Sequence, residues 1–81
     1  MDLNFILMDE TEQRECMIKN GKEMVRSGKA WIGFCDNNPN ISKEALSWIR
    51  DQAKLAIGWG SYLVRYNQLM LERDRQGYPL I

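Results

Sequence analysis

Apolar residues recur at three- and four-residue steps over two long stretches of this chain, with one polar break between them. In the first stretch Met17, Ile18, Gly21, Met24, Val25, Gly28, Trp31, Ile32 and Cys35 keep that step. Lys19, Asn20, Lys22, Glu23, Arg26, Ser27 and Lys29 fill the positions between them. Such a division into one apolar and one polar face predicts an amphipathic helix over about 9–36. Asp9 or Thr11 supplies its N-cap, and Glu10, Glu12 and Glu15 suit the positive end of the helix dipole. Gly28 is the weak point, because an interior glycine costs about 1 kcal/mol relative to alanine. The alternative ends the helix there and extends "KAWIGFC".

The break is "DNNPN" at 36–40, a turn by composition. Ser42 then caps a second helix, with Glu44 in its first turn. Two stripes run along it. One is Leu46, Ile49, Ala53, Ala56, Gly60, Leu63, Asn67 and Met70. The other is Ala45, Trp48, Gln52, Leu55, Trp59, Tyr62, Tyr66 and Leu69. Neither changes phase at Gly58 or Gly60, so "AIGWGSYLVRY" reads as helix interior and not as a loop. The second helix then covers about 42–75 and stops at Gly77. With "LNFILM" at 3–8 as an apolar N-terminal arm, the expectation is an all-α fold, an αα-hairpin forming a single small domain over 1–81.

Size changes the picture. A chain of 81 residues buries too little surface to be more than marginally stable alone, and it needs a staple or a partner. No histidine and only two cysteines, Cys16 and Cys35, leave no metal-ligand spacing, so neither metal nor cofactor is expected. A disulfide is not expected either, since the two would lie nearly 30 Å apart along one helix by the helical rise. The favoured completion is a homo-oligomer. The aromatic stripe supports this, because one neighbouring helix covers only one stripe and leaves Trp48, Trp59, Tyr62 and Tyr66 exposed on a monomer. Trp48, Trp59, Ala53, Ala56, Gly60 and Leu63 are the candidate interface residues, with the small ones admitting a second helix closely. The competing arrangement folds the arm and tail over the aromatic stripe and leaves a monomer.

Charge excludes some classes. Eleven acids balance eleven bases, which leaves no basic footprint for duplex DNA. No apolar run reaches the roughly 18 residues of a membrane span. "MDLNFILMDE" is too short and acidic for a signal sequence, so a cytoplasmic location is expected, the host cytoplasm if the chain is phage-encoded.

Catalysis has little to draw on without histidine or paired acids, so the chain is not expected to be an enzyme. Asp36, Asn38 and Asn40 open like a calcium loop, but Ile41 and Ser47 stand where its glycine and glutamate belong. One mixed patch remains. Lys54, Gly58, Ser61 and Arg65 share a helix face flanked by Trp59, Tyr62 and Tyr66, a set able to hold a phosphate and stack a base. A solvated polar face bordered by aromatics is the plainer reading of the same residues.

Trp48, the Ala53-Lys54 pair, Gly60 and Leu63-Val64-Arg65 together resemble the last helix of the small phage anti-CBASS sponges. "MIKNGKEM" is similar to that family's first helix, and the likeness covers at most half the chain. Gly60 is followed by Ser61 where that family's pattern has phenylalanine. The resemblance implies a symmetric helical oligomer that holds nucleotide ligands between subunits without chemistry. The expected function is thus a phage-type anti-defence protein that sequesters a cyclic oligonucleotide signal. The alternative is an inhibitor or assembly factor that docks the aromatic helix face on a larger host protein.

Overall fold

The computed structural model describes residues 7–77. The expected arm at 3–8 therefore lies mostly outside the described residues, and the tail after Gly77 wholly so. Two helices make up the fold: α1, Glu10–Asn37, and α2, Lys43–Gln76. They pack on each other as an antiparallel hairpin, and there is no strand among the described residues.

The helix ends follow from their caps. Asp9 accepts a hydrogen bond at Oδ1 from the Glu12 backbone N–H at 2.8 Å and starts α1, so Thr11 lies inside the helix. Asn38 ends it: its backbone N–H donates to the Cys35 carbonyl and its Nδ2 to the Phe34 carbonyl at 2.8 Å. Ser42 Oγ accepts from the Ala45 N–H at 3.2 Å and opens α2. Gly77 closes it in the left-handed region at φ 76°, a conformation that glycine adopts without strain. "KAWIGFC" is helical throughout, so the extended alternative after Gly28 does not form.

The contact between the helices is a seven-residue repeat of mostly small side chains. Gly21, Gly28 and Cys35 are the buried residues of α1, and Leu46, Ala53, Gly60 and Asn67 those of α2. They meet in layers: Cys35 Sγ sits 3.9 Å from the Leu46 carbonyl, Gly28 lies over Ala53, and Gly21 lies over Gly60. Gly28 is explained by this packing. A Cβ built there would fall 2.7 Å from the Ala53 carbonyl oxygen and 2.6 Å from Ile57 Cγ1. Glycine gives up helix propensity and gains backbone-to-backbone contact.

On either side of this seam the side chains are apolar but only half-buried. Met17, Met24, Ile49, Ala56, Leu63 and Met70 flank one side, and Ile18, Val25, Ile32, Ile57, Val64 and Leu71 the other. A two-helix layer has no third element to cover these flanks. Polar contacts tie down its ends. Arg50 bridges to Asp36 at 3.2 Å near the turn. At the open end Arg14 reaches Glu10 at 2.7 Å and Asp74 at 3.4 Å. No described helix is long and apolar enough to cross a membrane.

Candidate binding surface

The 3–4 spacing of aromatics on α2 places them in a band along its outer side, which reaches the edge of the α1 contact at Trp48. Trp48, Leu55, Trp59, Tyr62, Tyr66 and Leu69 are all about half exposed or more, Trp48 the most at 65%. Within the band the rings touch. Trp59 meets Tyr62 edge-on with centroids 6.0 Å apart, and Tyr62 stacks on Tyr66 at 5.8 Å with an interplanar angle of 15°. Offset stacked and edge-on pairs are the favoured ring geometries, so the ladder holds its shape without a covering partner.

One end of this ladder opens into a shallow hollow of about 420 Å³, lined by Lys54, Leu55, Gly58, Trp59 and Tyr62. Three of the six expected ligand residues, Lys54, Gly58 and Tyr62, thus stand together. Ser61, Arg65 and Tyr66 are exposed on α2 but do not line the hollow. The flanking Trp59 lines it too, and so does Leu55, which sits one helical turn from Trp59 on the same side as Tyr62. Lys54 makes no ion pair among the described residues, so its ammonium is available to an anion. Gly58 leaves the floor open: nothing lies within 4 Å of where its Cβ would be.

The candidate interface residues separate into two groups. Ala53 and Gly60 are buried against α1 of the same chain, and Ala56 and Leu63 flank that contact half-buried. The small size of Ala53 and Gly60 therefore serves the hairpin itself. Trp48 and Trp59 remain exposed.

Two features escape the sequence pattern. The first is a groove of about 630 Å³ between the helices, walled by Trp31 and Trp48 and floored by Gly28 and Ala53. Trp31 and Trp48 come from opposite sides of the turn, so only the register of the hairpin brings them together. Phe34 braces Trp31 edge-on at 5.5 Å. The second is the polar end of the seam, where Arg14 and buried Asn67 line a common hollow. Asn67 Nδ2 donates to the Leu63 carbonyl at 2.7 Å. Among the described residues no cluster of metal-ligating side chains occurs. Cys16 and Cys35 are both free thiols.

No known family, curated protein or solved structure gives a match to this chain.

Proposed function

We propose that this chain is a non-enzymatic helical binding protein of the small phage anti-defence kind, and that it sequesters a cyclic oligonucleotide. The observation that carries this reading is the hollow in which unpaired Lys54 stands beside Trp59 and Tyr62 over the open position of Gly58. A phosphodiester takes an ammonium as its point-charge partner, and a base takes an aromatic face, with stacking contributing about 1–3 kcal/mol per base. Gly58 gives the sugar-phosphate backbone room to reach the helix. Calorimetry against a panel of cyclic di- and trinucleotides tests the proposal. Binding heat at micromolar protein, lost in Lys54→Ala and in Trp59→Ala, is the expected result. A flat titration across the panel overturns it.

The exposed aromatic band supports a second reading, in which α2 docks on a larger host protein. Tyr and Trp are the side chains that most often anchor protein interfaces. Under that reading Trp59→Ala abolishes capture of the host protein while helicity is unchanged, and Lys54→Ala has little effect.

A further inference from the structure

We infer that α2 carries a second helix-pairing seam on its outer side, and that its occupant is α2 of a second copy of this chain, lying antiparallel. The inference goes beyond the ligand reading and competes with it for one surface, because Leu55, Gly58, Trp59 and Tyr62 line the hollow and also fall within this seam.

The first observation is spacing. Ala45, Trp48, Gln52, Leu55, Trp59, Tyr62, Tyr66 and Leu69 alternate steps of three and four residues without interruption. This is the a/d pattern with which one helix packs knobs into the holes of another. The buried seam facing α1 uses different residues; Trp48 and Gln52 border α1 across the groove with Trp31, and the rest of the outer stripe stays exposed among the described residues.

The second observation is area. Six large side chains of the outer seam are each about half exposed. Taking roughly 100 Å² for each, they present on the order of 600 Å², against about 800 Å² per partner in a standard interface.

The third is charge and size along the two edges of the seam. The register that overlaps the whole stripe sets Trp48 against the partner's Tyr66, Gln52 against the partner's Tyr62, and Leu55 against the partner's Trp59. One edge then reads Glu44, Asp51, Gly58, Arg65 and Glu72. Antiparallel pairing brings Asp51 to the partner's Arg65, twice by symmetry, and Gly58 to the partner's Gly58 at the two-fold axis. Neither Asp51 nor Arg65 has an ion-pair partner among the described residues. Glu44 and the partner's Glu72 are like-charged, but they lie at the exposed ends, where solvent and salt screen them most. The other edge is apolar, with Ala56 opposite the partner's Ala56. Small residues thus flank the axis on both sides, where two backbones come closest. This also gives Gly58 a reason to be glycine, which the hairpin alone does not, since nothing within the chain approaches it.

Sedimentation equilibrium of the full chain over a wide concentration range, with a charge swap, tests the inference. The unaltered chain is expected to self-associate. Asp51→Arg and Arg65→Asp should each weaken association by about tenfold, roughly 1.4 kcal/mol, and the double variant should recover it. Both positions are exposed on the hairpin, and circular dichroism checks that its helicity is kept. As an independent readout, Glu44→Cys with Glu72→Cys in a Cys16→Ser background should give a covalent dimer with a short thiol-to-thiol cross-linker, since the two positions lie at opposite ends of one helix and meet only across the pair. A chain monomeric at every concentration overturns the inference. So does an assembly that ignores the swap and leaves the Glu44→Cys, Glu72→Cys chain without an intermolecular cross-link. Neither measurement uses a nucleotide, so failure here and failure of ligand binding are read separately.

Discussion

Gly21 and Gly60 face each other across the hairpin with their backbones in contact: a Cβ on Gly21 would lie 2.6 Å from the Gly60 carbonyl oxygen, and one on Gly60 2.5 Å from that of Gly21. Neither neighbour can give way cheaply, because each is main chain within a helix. Alanine at either position gains up to about 1 kcal/mol of helix propensity, yet it forces the helices apart at a cost of about 1–3 kcal/mol. Gly21→Ala and Gly60→Ala should therefore both lower the thermal unfolding midpoint. Gly33→Ala is the control, since its added methyl meets nothing within 4 Å, and it should raise the midpoint. Circular dichroism melts of the three variants decide this. If Gly60→Ala stabilises, the close contact is absent.

The two cysteines should differ in reactivity. Cys35 is 1% exposed and sits in the seam beside Leu46, whereas Cys16 is only half-buried on α1. A thiol reagent needs access, so one equivalent should react quickly in the native protein and the second only as the hairpin opens. Stopped-flow labelling in rising urea measures both phases. Cys16→Ser should remove the fast phase and leave the slow one. Two equally fast thiols would mean that the Cys35–Leu46 layer is not closed.

At the open end the ion pair of Arg14 with Asp74 joins the two helices over a partly buried position. The Arg14 side chain is 13% exposed, and its Nε lacks a hydrogen bond although the Asp74 carboxylate lies 3.4 Å away. The pair therefore works by charge at a distance, without good hydrogen-bond geometry. Asp74→Ala should cost no more than about 1 kcal/mol, the range of partly exposed pairs, and the loss should shrink in high salt. Arg14→Ala should cost more, because the arginine stem also packs between the helices. Urea unfolding at low and high salt separates the charge and packing contributions.

The hairpin was legible from the sequence because its physics is local. Ser42, Gly77 and the "DNNPN" turn punctuate the chain by themselves, and stripes that keep phase through Gly58 and Gly60 exclude a loop there. The aromatic stripe stays exposed as its bulk predicts, but periodicity cannot give the register in which α1 meets the other stripe. The stripe through Ala53 and Gly60 makes the intrachain contact, and the one through Trp48 and Trp59 is left outside. Gly28 looked like a weak point for the same reason: its cost is local and visible, while the contact with Ala53 that compensates lies far off in sequence. The Trp31–Trp48 groove and the Arg14–Asn67 end likewise depend on register, which local periodicity does not carry. Of the candidate ligand residues, a shared helix face brought Lys54, Gly58 and Tyr62 together. A shared face does not guarantee a shared hollow, so Ser61, Arg65 and Tyr66 stand outside it.

Gly58 separates the lone hairpin from its assembly in a single measurement. In the isolated chain an added methyl there meets open space, and the backbone is ordinary helix. Gly58→Ala should then stabilise by up to about 1 kcal/mol, as any unhindered interior glycine would. In an antiparallel α2 pair the same methyl stands at the two-fold axis, where the helices come closest, and it weakens association. The gain in unfolding midpoint should therefore be largest at low protein concentration and should shrink or reverse as concentration rises. Gly33→Ala, with open space around it but away from the outer seam, should show a gain that does not depend on concentration. Melts of both variants over a wide dilution series provide the check. Parallel behaviour at every concentration would place Gly58 on a surface that no second copy touches.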